Sequence, residues 1–398
     1  MANNNENKVL NVPHLRFPEF NGEWETKLIN DLAVVIGGGT PDTTIKSYWD
    51  GEIQWFTPSE IGKNKYVDSS LRTITEEGLN NSSAKLLPPN TILLSSRATI
   101  GECSLSLREC ATNQGFQSLV SKKCYVDFLY YLIQTKKRDL IRKSCGSTFL
   151  EISANEVRKI QVSVPTDVEQ QKIAGLLSLI DERIATQNKI IEKLQSLIKG
   201  LSQQLLSSEN DWILYRLDDL AQIKSGYSGT QVSYQTPYKV SRIETISKHC
   251  IDIQRIGYVE CIPESYRLNV GNILFSNINS IQYIGNTAYL DKDYGLYHGM
   301  NLLRIIPNTT IVRPRFLHLL LCTDWAINYF QTICNKAVSQ ASINQTALGK
   351  SRFPIPPMSV QQQICSMFEL TERKLDNEQE YISCLQQQKR YLLQKMFI

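Results

Sequence analysis

The feature that most constrains the fold of this chain is a helix-entrance sequence that occurs twice. Residues 165–173 read P-T-D-V-E-Q-Q-K-I and residues 356–364 read P-P-M-S-V-Q-Q-Q-I, at an offset of 191 residues. A second set of matches begins with Trp24 and Trp212, at an offset of 188 residues. A repeat of this length is too long for a solenoid unit. The sequence therefore predicts two diverged copies of one domain, each followed by a helix.

Both predicted helices carry apolar residues at alternating steps of four and three, which we call the seam. The first seam contains Ile173, Leu177, Ile180, Ile184, Gln187, Ile191, Leu194, Ile198, Leu201 and Leu205. The second seam contains Ile364, Phe368, Thr371, Leu375, Glu378, Ile382, Leu385, Lys389, Leu392 and Met396. Heptads sustained over this length favour a coiled-coil partner, and pairing within the chain is the simplest arrangement. Ordinary long core helices are the alternative.

The regions before the helices contain short β-like runs, such as KLLPPNTILLS and RLNVGNILFSNINS, separated by turn residues. Thr166 followed by Glu169 forms a capping-box pattern at the start of the first helix. We therefore predict an α+β protein with two mixed α/β domains, separated by two long helices that pair as an antiparallel coiled coil. The predicted segments are an N-terminal segment 1–22, domains 23–165 and 210–357, and helices 166–209 and 358–398.

Composition excludes several functional classes. The chain has ten cysteines and four histidines, and no two cysteines have C-x-x-C spacing, so we predict reduced, mostly buried thiols and no metal site. A Walker A lysine motif and the N-P-P-Y or D-P-P-Y tetrapeptide of adenine methyltransferases are missing, so we predict no catalytic residue. The net charge of +4 favours polyanions only mildly. No run of 18 apolar residues occurs, and a cytoplasmic protein is expected.

The loops of both domains are rich in Arg, Asn, Gln, Ser and Thr, the residue types that contact phosphates and base edges in DNA. Taken singly, such residues are more often turn formers or caps. The candidates in the first domain are Thr40, Thr43, Ser59, Arg97, Thr99, Asn113 and Gln114. Those in the second domain are Lys224, Tyr227, Ser241, Arg242, Asn277, Asn279 and His298. A basic run with Lys136, Lys137 and Arg138 is interpreted either as a phosphate-binding surface or as a solvated helix face.

The duplicated layout resembles the specificity subunit of type I restriction-modification enzymes. The resemblance is carried by the two helix entrances, by P-H-L-R-F-P-E-F-N-G-E-W at residues 13–24 and by G-N-I-L-F-S at residues 271–276. It covers nearly the whole chain. The sequence departs from the family pattern at two places. Val360 replaces an acidic residue at the second helix entrance, and P-P-N-T-I-L-L-S at residues 88–95 lacks the glycine that is present at residue 271.

The resemblance implies a target-recognition domain in each half, each reading one part of a split, asymmetric DNA sequence. The two helices would act as a ruler and as the docking site for two methyltransferase subunits. The candidate docking residues are Gln170, Gln171, Ile173, Leu177, Gln361, Gln362, Ile364 and Phe368.

The same resemblance implies that the chain itself binds no cofactor. The methyltransferase subunits would use S-adenosylmethionine, and two restriction subunits would use ATP and Mg²⁺. The other partner is double-stranded DNA, and no membrane is expected. The alternative hypothesis is a non-catalytic protein scaffold that holds two partners through its paired helices.

Overall fold

The computed structural model describes residues 10–146, 150–207, 212–336 and 340–398. The chain divides into two compact units: unit 1 contains Met1–Ile190 and Glu378–Ile398, and unit 2 contains Ile191–Asn377. Both division points lie inside a long helix, so each unit includes part of both long helices. The predicted boundary between residues 209 and 210 lies outside the described residues.

Unit 1 is a mixed domain followed by a long helix. Its strands are β1 Glu25–Leu28, β2 Ala33–Gly37, β3 Trp49–Phe56, β4 Tyr66–Val67, β5 Arg72–Ile74, β6 Ile92–Leu94, β7 Cys103–Ser106, β8 Cys110–Thr112, β9 Gln117–Ser121 and β10 Gln161–Val164. Its helices are α1 Ile29–Leu32, α2 Glu76–Asn80, α3 Val126–Thr135, α4 Lys137–Arg142, α5 Ala154–Arg158 and α6 Asp167–Leu205, the last of which continues into unit 2.

Unit 2 repeats this plan. Its strands are β11 Ile213–Arg216, β12 Ala221–Ser225, β13 Gln231–Val232, β14 Tyr238–Val240, β15 Ile246–Ser247, β16 Cys250–Ile251, β17 Gly257–Val259, β18 Ile273–Phe275, β19 Ile278–Asn279, β20 Thr287–Tyr289, β21 Leu296–Tyr297, β22 Leu303–Pro307, β23 Asn335–Lys336, β24 Ala341–Ser342 and β25 Arg352–Ile355. Its helices are α7 Leu217–Leu220, α8 Pro314–Leu321, α9 Asp324–Ile333, α10 Gln345–Gly349 and α11 Met358–Lys395, which continues into unit 1.

The sheets of the two units share their connectivity. The larger sheet of unit 1 has the order β2-β9-β6-β7-β4, and its counterpart in unit 2 has the order β12-β22-β18-β20. The first and last strands of each domain pair antiparallel, β1 with β10 and β11 with β25. Strand β3 pairs in parallel with β8, as β14 does with β21. The predicted α+β class is therefore confirmed, and both copies have one architecture.

The core of each unit forms where continuous apolar runs are covered on both sides. Strand β6 has three fully buried residues and lies between β9 and β7, which explains why its run is apolar rather than alternating. Helix α3 presents Phe128 and Leu132 to the same core, and α8 presents Phe316 and Leu320 to the core of unit 2. Among the described residues, no helix combines the length and apolarity needed to span a membrane.

One departure from the family pattern has a backbone explanation. Gly271 precedes strand β18 and adopts a φ of +87°. Asn90 takes the equivalent place before strand β6, with a φ of +62°. Asparagine is among the few residues that tolerate the left-handed region, so the missing glycine leaves the turn intact.

The two predicted seams are where the long helices are buried. Every seam residue is buried or partly buried. Within unit 1 the Gln187 side chain donates to the backbone oxygen of Glu378 at 3.3 Å and also bonds its carboxylate, and Asp181 pairs with Lys389 at 2.7 Å. Residues further along α6 contact residues earlier in α11, so the two helix segments in this unit run antiparallel.

The structure corrects the prediction of a capping box at the start of α6. The helix begins at Asp167 as expected, but the buried Glu169 carboxylate accepts hydrogen bonds from Arg16 at 2.8 Å and from the Trp24 indole at 3.3 Å. This contact attaches the N-terminal segment to the helix. Val360, at the equivalent position of α11, instead packs against the apolar core of unit 2.

We predict that Glu169→Ala lowers the free energy of unfolding of unit 1 by about 3 kcal/mol, because Arg16 and the Trp24 indole lose their buried acceptor. Urea unfolding followed by tryptophan fluorescence measures the change. The matched control is Arg108→Ala, which breaks an ion pair with Asp68 whose two side chains are both more than half exposed. Equal effects of the two substitutions would contradict the assigned role of Glu169.

Candidate nucleic-acid interface

Four loops of unit 1 meet at the ends of its strands. We define them as loop cluster 1, which contains residues 38–40, 57–59, 96–99 and 113–115. Backbone bonds join the loops: Asn113 N donates to Phe56 O at 3.1 Å, and Ser96 N donates to Gly115 O at 2.8 Å. The sequence separates these loops, and the parallel pairing of β3 with β8 brings two of them together.

All candidates from the first domain except Thr43 lie in loop cluster 1. The Thr40 hydroxyl donates to the side-chain oxygen of Gln114, which joins two of the loops. Ser59 is exposed and shares a hydrogen bond of 3.0 Å with Thr57. Thr43 is also exposed but lies further along its loop. The cluster therefore offers hydroxyl and amide groups to solvent.

Arg97 lies in loop cluster 1 but already has a partner. Its guanidinium pairs with Glu151 at 2.9 Å, and the two side chains are 42% and 36% exposed. The backbones of the two residues are also bridged. The pair holds the guanidinium beside Glu151 and leaves it partly exposed in the loop cluster.

The basic run at the end of α3 has mainly structural contacts. Lys136 donates to the backbone oxygen of Ile398 at 2.7 Å, and burial lowers the pKa of its ammonium group. Lys137 is ion-paired with Glu102. Arg138 is exposed, so the structure favours a solvated helix face over a continuous phosphate-binding surface.

Three loops of unit 2 form a corresponding group. We define them as loop cluster 2, which contains residues 226–231, 242–245 and 298–301. Tyr227 N donates to His298 O at 2.9 Å, and Gly299 N donates to Ser241 Oγ at 3.0 Å. A Cβ on Gly226 would lie 1.8 Å from the oxygen of Gly299, so this close approach requires glycine.

A cleft of about 480 Å³ opens beside loop cluster 2. It is lined by Ser228, Gly229, Thr230, Gln231, Arg242, Ile243, Glu244, Met300 and Asn301. Arg242 and Glu244 lie 3.5 Å apart and are 45% and 55% exposed. Lys224 is exposed at the end of β12, and Tyr227 is half-buried against Tyr266.

Two candidates in unit 2 are structural residues, which corrects the sequence-based prediction. Ser241 is fully buried and accepts the Gly299 N–H bond, while His298 is 1% exposed and bonds Leu302 O at 3.0 Å. Asn277 and Asn279 are half-buried and bond Ile343 O and Ser276 Oγ, so their described contacts do not lead to loop cluster 2. Single-sequence reasoning missed this because polar side chains that support a loop look like polar side chains that protrude from it.

The candidate docking residues also separate into two groups. Gln170 and Gln361 are buried, and each donates to the proline oxygen before its helix, at 3.0 and 2.9 Å. Buried apolar positions in the same list fill the core of their own unit, namely Ile173, Leu177, Ile364 and Phe368. These six side chains stabilise the helix entrances, whereas Gln171 and Gln362 are exposed to solvent.

Among the residues that the structure describes, no three His, Cys, Asp or Glu side chains are grouped as a metal site would need. All ten cysteines are free, and Cys145, Cys250, Cys261 and Cys384 are exposed. The thiols are thus less uniformly buried than predicted.

Comparison with known proteins decides the family. The family model described as the type I restriction modification DNA specificity domain matches residues 21–196 and again 209–387. The chain belongs to this specificity family. It is 30% identical to the type I restriction enzyme MjaIX specificity subunit of Methanocaldococcus jannaschii, over 69% of this chain and 75% of that protein. It is 29% identical to the EcoR124I/EcoR124II specificity subunit of Escherichia coli, over 51% and 49% of the two chains.

A solved structure supports the fold. The S subunit of a type I restriction-modification system from M. genitalium aligns with a TM-score of 0.60 and 17% identity, covering 97% of this chain and 99% of that one. Membership of the specificity family also confirms that the chain is a non-catalytic subunit rather than the enzyme itself. The two family matches include loop cluster 1 and loop cluster 2 respectively.

Sequence reasoning on this specificity subunit missed several polar residues of the loop clusters. Thr57, Gln231 and Glu244 lie there although none was a candidate. Thr57 had a local signal, since T-P-S-E matches a capping box, and its backbone N–H is bonded by Glu60 at 2.8 Å. Gln231 and Glu244 had no comparable signal.

We predict that His298 makes the stability of unit 2 depend on pH. Burial lowers the pKa of His298 to about 4, below the value of about 6.5 for an unfolded chain. As the pH falls, the His298 side chain is therefore protonated in the unfolded state before it is protonated in the folded state. The stability that is present above about pH 6.5 is lost as the pH falls toward 4, by at most about 1.4 kcal/mol per pH unit. In urea unfolding, the free energy of unfolding of His298→Gln should fall less between pH 7 and 5 than that of the wild-type protein. His14→Asn, at an exposed position in unit 1, is the control, and an unchanged slope in His298→Gln would refute the assignment.

Proposed function

We propose that this specificity subunit reads a bipartite, asymmetric DNA target, with loop cluster 1 reading one half-site and loop cluster 2 the other. The observation that carries the proposal is the pair of loop clusters, built on equivalent strands but bearing different side chains. Equivalent scaffolds would approach DNA in the same way, and unlike side chains would select unlike bases. Two unlike half-sites differ from the palindromes read by symmetric dimers.

We further propose that each long helix docks one methyltransferase subunit on its exposed face. The support is a repeated pair of exposed apolar residues: Leu179 and Leu370 are 60% and 59% exposed, and Ile190 and Tyr381 are 37% and 47% exposed. The members of each pair are 191 residues apart, so the two helices present one surface twice. Repeated exposed apolar surface favours two copies of one protein partner.

The complete assembly in this proposal also holds two restriction subunits. S-adenosylmethionine would be bound by the methyltransferase subunits, and ATP and Mg²⁺ by the restriction subunits. The specificity subunit contributes sequence selection and helix surfaces, and it binds none of these cofactors itself.

Methylome sequencing of cells that express this chain with its methyltransferase subunit is expected to show one split motif with two different half-sites. Binding of the purified complex to duplex DNA should weaken steeply as salt rises, because phosphate contacts release counterions. Cells that express the methyltransferase subunit alone are the control. A palindromic methylated sequence would contradict the proposed asymmetry.

Leu179→Glu and Leu370→Glu should each remove one methyltransferase subunit from the complex, and the double variant should remove both, because a charge is placed in an apolar contact. Native mass spectrometry counts the subunits. Ala185→Glu adds the same charge at an exposed position about 120° around α6 from Leu179 and is the control. Full occupancy in the double variant would show that the partner docks elsewhere.

A further inference from the structure

One structural position is shared by the two loop clusters although the sequence offsets do not reveal it. A short 3₁₀ turn follows β3 at Pro58–Glu60, and another follows β14 at Ile243–Thr245. Both strands pair in parallel with the strand that enters the next loop of the cluster, β8 and β21. Residues 57 and 242 therefore correspond, at an offset of 185 rather than 188 or 191.

The backbone at this position is the same in both units. Thr57 has φ −113° and ψ 158°, and Arg242 has φ −126° and ψ 170°. In each case the backbone N–H is bonded by the side chain three residues on, Glu60 at 2.8 Å and Thr245 at 2.9 Å. The side-chain direction at the head of the turn is thus fixed by the scaffold and not by the residue that occupies it.

The side chains at the head of the turn and two residues later differ in chemistry between the units. Unit 1 has the hydroxyl pair Thr57 and Ser59, 3.0 Å apart. Unit 2 has the charged pair Arg242 and Glu244, 3.5 Å apart and about half exposed. A guanidinium recognises O6 and N7 of guanine with two bonds, a carboxylate accepts from the amino group of cytosine, and a hydroxyl discriminates little.

The surroundings of Arg242 hold its side chain at the cleft. A Cβ on Gly257 of strand β17 would lie 3.0 Å from Arg242 Cδ and 2.8 Å from Gln231 Oε1, so both side chains lie across this glycine. Asn301, with a φ of +64°, lies on the cleft wall together with Met300. Arg242 and Glu244 therefore lie together in the lining of this concave surface.

We propose that this turn position determines the specificity of each unit, with Arg242 and Glu244 selecting a G·C base pair in one half-site and Thr57 and Ser59 contacting the other half-site. The inference rests on the proposed function and adds to it the residues that choose the bases. It assigns the second half-site a G·C pair and assigns weak discrimination to the corresponding position of the first.

The test uses the whole chain assembled with its methyltransferase subunits and a randomised DNA library whose methylated members are sequenced. Arg242→Thr with Glu244→Ser transfers the pair of unit 1 into unit 2. It is expected to reduce discrimination by about 5- to 150-fold at one or two adjacent positions of one half-site. The other half-site should be unchanged, which also shows that the variant complex is assembled.

The reciprocal variant, Thr57→Arg with Ser59→Glu, should change only the half-site that the first variant leaves intact. The control is Arg267→Thr with Asp293→Ser, which removes an ion pair of similar exposure, 40% and 55%, outside the lining of the cleft. It should leave both half-sites unchanged.

The outcomes are distinguishable. An unchanged half-site in both turn variants would overturn the inference while leaving the proposed function standing, and so would two variants that alter the same half-site. A wild-type complex without sequence preference would overturn the proposed function and the inference together. If a turn variant does not methylate DNA, equilibrium binding to duplexes with single base-pair changes decides: loss of preference at one or two positions supports the inference, and an unchanged profile overturns it.

Discussion

The apolar seam of the two long helices is the constraint on which each unit depends. The first part of α6 contributes Ile173 and Leu177 to the core of unit 1, while its later residues Ile198 and Leu201 pack in unit 2. Helix α11 does the converse. Each core is therefore completed by a helix segment that is far away in sequence, and neither domain buries its own helix along the whole length.

Polar contacts fix how each domain is attached to its helix. In unit 1 the Tyr131 hydroxyl donates to Asp181 at 2.7 Å, and Lys389 pairs with the same carboxylate. In unit 2 the carboxylate of Glu372, at the equivalent helix position, pairs with Arg315 of α8. An acidic residue thus anchors the domain in both copies, although its partners differ. A directional contact of this kind adds orientation to apolar packing, which is not directional.

The loop clusters show how a constant framework accommodates different chemistry. The framework consists of paired strands, close glycine contacts such as Gly226 with Gly299, and buried side chains such as Ser241. None of these groups needs to reach a ligand. At the turn after β3 and β14 the side chains are the hydroxyls of Thr57 and Ser59 in unit 1 and the charged pair Arg242 and Glu244 in unit 2, so the two surfaces differ at this position.

The sequence by itself determined the duplication, the α+β class, the start of α6 and both seams, because repeats and heptads are periodic signals that survive divergence. It also indicated which loops carry polar side chains. Only the tertiary structure decided which of those side chains face solvent. Ser241 and His298 are polar loop residues by sequence but are buried, while Glu244 and Thr57 lie at the clusters without having been candidates. The correspondence of residues 57 and 242 also needed the structure, since insertions in the loops shift the offset and only strand pairing restores the register. The physical reason is that exposure in a loop depends on contacts between segments distant in sequence, and no local pattern records those contacts.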